Sequence, residues 1–523
     1  MHISIMNPLR ILLLSALILV VFGVKEVDAE GLEWSYNTEG TIFSVAISAD
    51  DEYITAGTVT GHVYLFHKDS NESLWIYDTG TSDIVRSVDI SDDGLYIVAA
   101  VYDGTAHVED DHKICLFHRD SSTPLWNYTT HSNVMSVAIS ADGEYIVAGG
   151  YRGIQIENGG EVYFFNRDNS IPLWNYTTNQ MVSLVSISED GEYISVAGAY
   201  DATVYLFHKD GDEPLWSYTS EVGDCEYPDC YMGQSKISAD GEYIVAGLVY
   251  IDDIHNRYNS KIYFFNKDSN EPLWTYTIGN NNEVAVVDSV AISADGQYSV
   301  AGCTRLDTVH LFDKDTGHLW SYTTSNGVYT VDITPNGQYI TAGNNDGNIY
   351  YFSKDNSTPL RNYTTTDDST YSISITSDGR HVVAGLSHDN SSIFLFDMNP
   401  SSNVKPVATI DSIYPSSARL GDKVTFSGSG SDSDGTIIGY EWRSNIDQFL
   451  SDDEDFNIAV LSPGNHTIIF RVQDNNGEWS YGDTAELEIY PNTEGGGAGN
   501  EIPSPSILIS SMILLLIAIF RRK

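Results

Sequence analysis

SVAISADGEYIVAG at residues 136–149 is the stretch that decides the fold, together with VYFFNRDNSIPLWNYTT at residues 162–178. Both segments recur along the chain in the same order, so each pair is one copy of a repeated unit. Self-similarity of this kind indicates an architecture in which one supersecondary unit is stacked many times. The eight clearest copies of the first segment begin at Ser44, Ser87, Ser136, Val185, Ser235, Ser289, Thr330 and Ser372.

Each copy predicts four short strands. SVAIS alternates and is small enough to line a crowded axis, whereas YIVAG is an apolar run of the kind that is buried on both faces. ADGE between them is a turn, because Asp and Gly supply the backbone conformations that a tight turn requires. VYLF and LWxYTT are aromatic and β-branched, and KDSxxP turns between them. Four antiparallel strands repeated along the chain predict an all-β propeller, not a helical solenoid or a sandwich.

Counting the strands also predicts how the ring closes. The strand LEWSYNT at residues 32–38 precedes every SVAIS strand, and the last unit, residues 372–397, ends at Phe396 without an LW strand. The chain has eight sets of three strands and eight fourth strands. They combine into eight four-stranded blades only if LEWSYNT is the fourth strand of the last blade. This pairing would remove the open sheet edges that invite aggregation.

The first half of the repeat resembles WD40 and related propeller repeats. The second half, clearest in FDKDTGHLW at Phe312–Trp320, resembles the tryptophan-docking motif of quinoprotein (PQQ-dehydrogenase-like) propellers. The likeness covers residues 31–397 and implies an eight-bladed fold. The chain lacks the adjacent cysteine pair of the PQQ enzymes, so we expect no cofactor. The resemblance implies that large indoles wedge between blades at Trp34, Trp75, Trp126, Trp174, Trp216, Trp274 and Trp320, whereas Arg361 occupies the eighth position.

The pattern changes after the propeller, which we place at residues 30–398. Beyond a linker at 399–404, residues 405–490 alternate as strands with turns every ten or so residues, which predicts a small β-sandwich. The segments around Gly428–Gly435, Tyr440–Trp442 and Val472–Gly477 resemble a PKD domain, an immunoglobulin-like module of cell surfaces. The resemblance implies that Trp442 is the core tryptophan.

Both ends of the chain carry apolar runs. Residues 1–29 resemble a secretory signal peptide, with an uncleaved anchor as the alternative. A flexible stalk at 491–503 precedes an apolar segment at 504–520 and the basic tail 521–523, which together predict a C-terminal transmembrane anchor with its cations in the cytoplasm. We therefore expect a cell surface protein whose bulk is extracellular. The combination of parts looks like archaeal envelope proteins.

The charge and the cysteines agree with that location. Lys and Arg number 26 against 73 Asp and Glu, a net charge of −47 that would repel nucleic acid. Cys225 and Cys230 frame CEYPDC and predict a local disulfide, with free thiols or a metal pair as alternatives. We interpret Cys115 and Cys303 as buried and inert. Sequons compatible with glycosylation, or arising by chance, occur at Asn71, Asn127, Asn175, Asn356, Asn362, Asn390 and Asn465.

No motif predicts catalysis or a resident metal. His67, His118 and His208 occupy equivalent points of different blades, so they would not ligate one ion. The DSDG stretch at Asp432–Gly435 favours a hairpin turn, with weak surface calcium binding as the alternative. We therefore predict no catalytic residue, no metal site and no cofactor.

Loop length is the remaining functional signal. Insertions at 101–113, 149–161, 248–261, 220–234 and 278–285 fall in the two connection types that emerge on one face of a propeller, where variable loops favour binding. The prediction is a non-enzymatic binding or adhesion protein with an extracellular protein or glycan partner. An envelope-assembly scaffold is one alternative, and a glycan hydrolase or lyase, with carboxylates and a histidine at the channel, is another. The candidate binding residues are Glu109, Asp110, Asp111, Tyr151, Arg152, Tyr250, Asp252, Asp253 and Tyr258.

Overall fold

The computed structural model describes residues 31–491, except 81–82, 104–111, 131, 153–158, 200–201, 221–232, 253–256, 280–284, 366–368, 388–390, 399–405, 433–435 and 475–478. Over these residues the chain is all-β and contains no helix. In this part of the chain no helix has the length and apolar character needed to span a membrane. The predicted signal peptide, linker, apolar C-terminal segment and basic tail lie outside the described residues, as do Cys225 and Cys230.

Residues 32–397 form eight four-stranded antiparallel sheets, here called blades 1 to 8 in chain order. The chain begins with β1 (Leu32–Asn37). Blade 1 contains β2 (Ile42–Ile47), β3 (Tyr53–Thr58), β4 (His62–His67) and β5 (Ser73–Asp78). Blade 2 contains β6 (Asp83–Ile90), β7 (Tyr96–Asp103), β8 (His112–His118) and β9 (Trp126–Thr130). Blade 3 contains β10 (Ser132–Ile139), β11 (Tyr145–Arg152), β12 (Gly160–Asn166) and β13 (Trp174–Thr178).

The next blades repeat this order. Blade 4 contains β14 (Val182–Ile187), β15 (Tyr193–Gly198), β16 (Thr203–His208) and β17 (Trp216–Thr219). Blade 5 contains β18 (Gln234–Ile237), β19 (Tyr243–Asp252), β20 (Arg257–Asn266) and β21 (Trp274–Ile278). Blade 6 contains β22 (Val287–Ile292), β23 (Tyr298–Cys303), β24 (Thr308–Asp313) and β25 (Gly317–Thr323). Blade 7 contains β26 (Val328–Ile333), β27 (Tyr339–Asn344), β28 (Asn348–Ser353) and β29 (Arg361–Thr364). Blade 8 contains β30 (Thr370–Ile375), β31 (His381–Leu386) and β32 (Ser392–Asp397).

The fourth strand of blade 8 is β1. It pairs antiparallel with β32, from Leu32 opposite Phe396 to Asn37 opposite Ser392, so the predicted pairing of the LEWSYNT strand is confirmed. The first strands of successive blades pack against one another from β2 to β30, and β30 packs against β2. This is a propeller-like arrangement in which the first strands are innermost and the fourth strands form the rim.

The ADGE turn illustrates how the repeat sequence produces the packing. In blade 3, the Ser140 hydroxyl donates to Asp142 Oδ1 at 2.8 Å, and Gly143 adopts a φ of 66°. A Cβ on Gly143 would lie 2.5 Å from the Tyr96 ring of blade 2. Only glycine meets both requirements, because it tolerates positive φ and lets the neighbouring ring approach. The turn therefore also sets the contact between blades.

The seven tryptophans of the LW segments each hydrogen-bond to the following blade. All seven donate the indole N–H to a main-chain carbonyl of the following blade, over 2.5–2.8 Å. Where Arg361 replaces the eighth, a cavity of about 560 Å³ opens between blades 7 and 8, lined by Tyr339, Leu360 and Met398. The acceptors are the carbonyls of Lys68, Arg119, Arg167, Lys209, Lys267, Lys314 and Lys354.

The last part of the chain is a two-sheet β-sandwich, as its alternation predicts. Trp442 is fully buried at its centre, 4.2 Å from the Phe470 ring centroid. The sandwich contacts blade 1, where the Gly482 N–H donates to the Asp69 carbonyl at 2.5 Å. Its strands are β33 (Val407–Tyr414), β34 (Ser417–Arg419), β35 (Val424–Ser431), β36 (Ile437–Ser444), β37 (Gln448–Ser451), β38 (Asp455–Ile458), β39 (Gly464–Asp474) and β40 (Asp483–Tyr490).

Both cysteines that the structure describes are free and buried, as predicted. Burial raises the pKa of the Cys115 and Cys303 thiols to about 12. The thiols are therefore protonated at neutral pH, and a protonated thiol is a poor nucleophile and metal ligand.

Candidate binding site at the channel mouth

Seven of the eight innermost strands carry an irregularity near their first residue, where one residue has no partner on the second strand of the blade. Such β-bulges re-aim a side chain and are frequent beside binding sites. The bulged positions lie at the end of the strand where the chain enters from the preceding blade. They are Phe43, Arg86, Met135, Ser183, Asp288, Tyr329 and Tyr371.

The residue after the bulge holds neighbouring blades together. In blade 1, Ser44 Oγ accepts the Val88 N–H of blade 2 at 3.1 Å. Ser372 of blade 8 accepts the Val45 N–H of blade 1 at 3.0 Å in the same manner. A hydroxyl residue follows the bulge in six of the seven bulged strands, and there the bulged residue differs between blades. Blade 4 is the exception, because Leu184 follows its bulge and the bulged Ser183 donates its hydroxyl to the Gly233 carbonyl.

Four bulged residues from consecutive blades 7, 8, 1 and 2 touch one another. The Tyr329 and Tyr371 rings stack with their centroids 5.3 Å apart, and Phe43 lies edge-on to Tyr371 at 6.3 Å. The Arg86 guanidinium lies 4.6 Å above the centroid of the Phe43 ring. We call these four residues the mouth arc, because they line one opening of the central channel.

The arc is electrostatically mixed. Burial lowers the pKa of Arg86, and the nearby hydroxyls of Tyr102, Tyr151 and Tyr371 oppose that change. An arginine in this setting keeps its charge, so it presents a cation flanked by aromatic rings. Tyr151, one of the predicted binding residues, lies near Arg86.

An acidic group continues the arc past Tyr329. Burial raises the pKa of Asp288 to about 6, and hydrogen bonds from Thr304 together with the charge of Arg305 oppose the rise. Its Oδ2 atom is buried without a hydrogen-bond partner in the part of the chain that the structure describes. A buried acceptor without a donor costs stability, so Asp288 is a group that a ligand donor would satisfy.

The other predicted binding residues lie in other parts of the chain. Arg152 forms an ion pair with Glu161, which also accepts the Ser132 hydroxyl at 2.6 Å and the Tyr163 hydroxyl. Burial opposes ionisation of Glu161, but these donors together lower its pKa, so Arg152 holds a charged carboxylate at the top of blade 3. Tyr250, Asp252 and Tyr258 belong to the long β19–β20 hairpin, and Glu109, Asp110, Asp111 and Asp253 lie outside the described residues.

Deeper in the channel, two carboxylates follow the bulges of blades 2 and 7. Asp89 accepts the N–H groups of Ile90 and Ile139, and Asp332 accepts those of Ile333 and Ile375, all at 2.9–3.0 Å. Burial raises the pKa of each carboxylate to about 6, and the charge of Lys236 lowers both. Because each acceptor oxygen is occupied by the backbone, these groups join neighbouring blades.

A second polar cluster lies where the ring closes. Ligand-type atoms of Glu33, His381 and Asp397 lie within 4.8 Å of one another. However, the Arg380 guanidinium donates to Asp397 Oδ2 at 3.0 Å, and His381 Nδ1 lies 2.8 Å from Asp51 Oδ2. Burial opposes protonation of His381, but Asp51 and Glu33 raise its pKa to about 9. A protonated imidazole offers no lone pair to a metal, so this is an ion-pair network.

The three histidines of the repeat are partnered locally. His67 Nε2 lies 2.9 Å from Glu52, and His208 Nε2 lies 3.1 Å from Glu192, each within its own blade. His118 Nδ1 lies 3.4 Å from Asp120. Each of the three histidines therefore lies at a strand end and contacts a carboxylate of its own blade, in blades 1, 2 and 4.

Comparison with known proteins supports the repeat assignment. The WD domain, G-beta repeat family matches residues 71–108, 122–175 and 315–353. The chain thus contains WD40 repeats, and its four-stranded antiparallel sheets are consistent with a β-propeller. No curated protein matches the chain.

Proposed function

We propose that this chain is a non-enzymatic cell-surface binding protein that captures an extracellular protein partner at the mouth arc. The eight blades form one eight-bladed propeller, the PKD-like sandwich is a spacer, and the C-terminal apolar segment holds the assembly in the membrane. The observation that carries the proposal is the contact of Tyr329, Tyr371, Phe43 and Arg86 across four consecutive blades.

The chemistry of the arc favours a protein partner. Tyrosine and arginine are the residues that most often dominate the binding energy of protein interfaces, because they combine a large rigid contact surface with a polar end. Tyr371 is 36% exposed, so its ring is available to a partner while its other face is held by Tyr329. WD40 repeats in general mediate protein interactions, which agrees with this choice.

The position of the mouth arc also favours a partner that inserts a loop into the channel. The arc lies on bulges of rigid innermost strands, so its side chains are pre-positioned and lose little entropy on binding. A partner loop that enters the channel would meet the aromatic rings first, then Arg86 on one side and the unsatisfied Asp288 oxygen on the other. Such a loop would carry a carboxylate for Arg86 and a donor for Asp288.

The test compares partner binding by residues 30–490 with that of the variants Tyr371→Ala and Arg86→Ala. Protein and glycan arrays identify ligands, and titration calorimetry measures affinity. Each variant is expected to lose affinity by about tenfold or more, the loss typical of a central interface residue. Phe449→Ala, at an exposed position of the sandwich, is the matched control. Unchanged affinity in both folded variants would overturn the proposal. Binding to glycans alone would show that the partner is a glycan and not a protein.

A glycan hydrolase is the second candidate, and one observation favours it. Asp89 and Asp332 are channel carboxylates whose pKa is raised to about 6, as a general acid requires, and in this role each would have to release one of the main-chain N–H groups that it accepts. Release of reducing sugar from glycan substrates, abolished in Asp332→Asn, would establish this function. Retained release in that variant would exclude Asp332 as the acid.

A further inference from the structure

The outermost strands carry a belt of exposed leucines. In six consecutive blades, the residue before the docking position is a leucine that is 43–55% exposed. Leu319 lies on the fourth strand of its blade, and each of the other five directly precedes the fourth strand. The fourth strand has an open edge, and an apolar sheet edge is a template for unwanted pairing with another chain. The leucines are Leu125, Leu173, Leu215, Leu273, Leu319 and Leu360.

The two remaining blades do not expose this position in the same way. Blade 8 has Glu33 there, a buried carboxylate that lies 3.8 Å from His381 in the ion-pair network of the closing seam, so no apolar side chain is exposed at this position. Blade 1 has Leu74, which lines a small cavity together with Ile469 and Arg443 of the sandwich. These two positions therefore have protection that the six leucines lack.

Three of the six leucines are followed, two residues later, by an exposed asparagine. Asn127, Asn175 and Asn362 begin NYT sequons on blades 2, 3 and 7. Exposure alternates along each segment: the leucine and the asparagine are exposed and the residue between them is not, so both side chains lie on the outer face. The threonine of each sequon is exposed on that same face, whereas the tyrosine between them points inward. Blades 4, 5 and 6 carry Ser217, Thr275 and Ser321 instead.

We propose that Asn127, Asn175 and Asn362 are N-glycosylated, and that the glycans cover the leucines and open edges of blades 2, 3 and 7. The sequon is an acceptor for N-linked glycans in exported chains, so the proposal rests on the extracellular location proposed above. An oligosaccharide attached at the rim would lie directly over the neighbouring leucine, because both side chains leave the strand on one face.

The transfer is a substitution at the sugar. The asparagine Nδ2 atom forms a bond to the anomeric carbon of an oligosaccharide carried on a lipid phosphate or pyrophosphate. The bond between that carbon and the phosphate oxygen breaks, and the lipid phosphate or pyrophosphate leaves. The amide loses one proton to a base of the transferring enzyme, and no atom changes its oxidation state.

Peptide mapping by mass spectrometry, on protein isolated from its natural host, tests the proposal. We expect glycan masses on the peptides containing Asn127, Asn175 and Asn362. The peptides of Ser217 and Ser321 are the internal controls and should carry no N-linked glycan. Unmodified rim asparagines in protein that surface proteolysis places outside the cell would overturn this inference alone. Unmodified asparagines in protein that is protected inside the cell would overturn the proposed location as well.

The shielding role has its own readout. The triple variant Asn127→Gln, Asn175→Gln, Asn362→Gln should self-associate at concentrations where the glycosylated chain does not, measured by sedimentation velocity. Asn465→Gln removes an exposed sequon from the sandwich and is the control. Equal sedimentation of the triple variant and the control would refute shielding. If the triple variant and the control have the same unfolding midpoint, a difference in their sedimentation arises from association and not from unfolding.

Discussion

Replacing Asp51 by asparagine is expected to weaken the ring closure in a pH-dependent manner. At seven seams between blades, a turn glycine of one blade packs against a tyrosine of the preceding blade, as Gly143 packs on Tyr96. At the closing seam, Asp51 and His381 occupy these two positions, and Asp51 adopts a φ of 63°. The closing seam therefore substitutes a charged contact for an apolar one.

The magnitude follows from the pKa of His381. Its ordinary value is 6.5, and in the fold Asp51 and Glu33 raise it to about 9 against the effect of burial. The two pKa values differ by about 2.5, which corresponds to about 3 kcal/mol of stability. Because the folded pKa is the higher one, this contribution is complete below pH 6.5 and is lost as the pH rises through 9.

Asparagine tolerates the same backbone conformation as aspartate, so Asp51→Asn removes the charge with little strain. The variant should lose about 1–2 kcal/mol near pH 6.5, since Glu33 remains 3.8 Å from the ring. For a unit of this size, that loss lowers the thermal midpoint by about 1–3 °C. The difference from the unsubstituted chain should nearly vanish at pH 9.5.

Differential scanning calorimetry between pH 6.5 and 9.5 measures this difference. Asp355→Asn is the control, because Asp355 forms an exposed ion pair with Lys354 at 2.7 Å and should change stability by less than about 0.5 kcal/mol at any pH. Midpoints that run parallel for the unsubstituted chain and Asp51→Asn across the whole pH range would refute the reasoning.

Three further changes test the packing and the mouth. Arg361→Trp should raise the thermal midpoint by about 1–3 °C, because an indole would fill the cavity beside Met398; a lower midpoint than that of Arg361→Ala would contradict this. Asp288→Asn should stabilise the fold by about 1–2 kcal/mol at pH 7.5 and hardly at pH 3.5 in denaturant titrations, because the cost of ionising Asp288 is complete above its folded pKa of about 6 and absent below its ordinary pKa of 3.8; equal gains at both pH values would contradict this. Trp126→Phe should cost about 1 kcal/mol in the same titration, because the bond to the Arg167 carbonyl is lost while ring packing remains; an unchanged midpoint would contradict it.

Much of the fold could be predicted because its signals are local. The alternation of SVAIS, the apolar run YIVAG and the Asp-Gly turn each indicate their element within a few residues. Even the pairing of β1 with β32, which joins the two ends of the propeller, followed from counting strands that lacked partners. The expectation that Trp442 is buried came from the resemblance of its surroundings to a PKD domain, and Trp442 is fully buried in the structure.

The mouth arc could not be predicted in the same way. Phe43 and Tyr371 are separated by nearly the whole propeller in sequence, and their contact depends on ring closure. A bulge also leaves no mark in an alternating pattern, because Phe43 reads as one more strand residue before Ser44. One signal was present: the residue at the position of Ser44 is Ser or Thr in six of the eight copies, whereas the residue before it varies in kind. Loop length drew attention to the insertions, one of which contains Tyr151 near Arg86, and away from the innermost strands that carry the mouth arc.

The separation of roles at the bulge explains how one repeat can serve both stability and recognition. Ser44 and Ser372 bond to main-chain N–H groups of the next blade, and this requirement is independent of the bulged neighbour. The bulged residue can therefore change from Phe43 to Arg86 to Asp288 without loss of a seam contact. We therefore expect specificity to be encoded there, with the insertions modifying access to it.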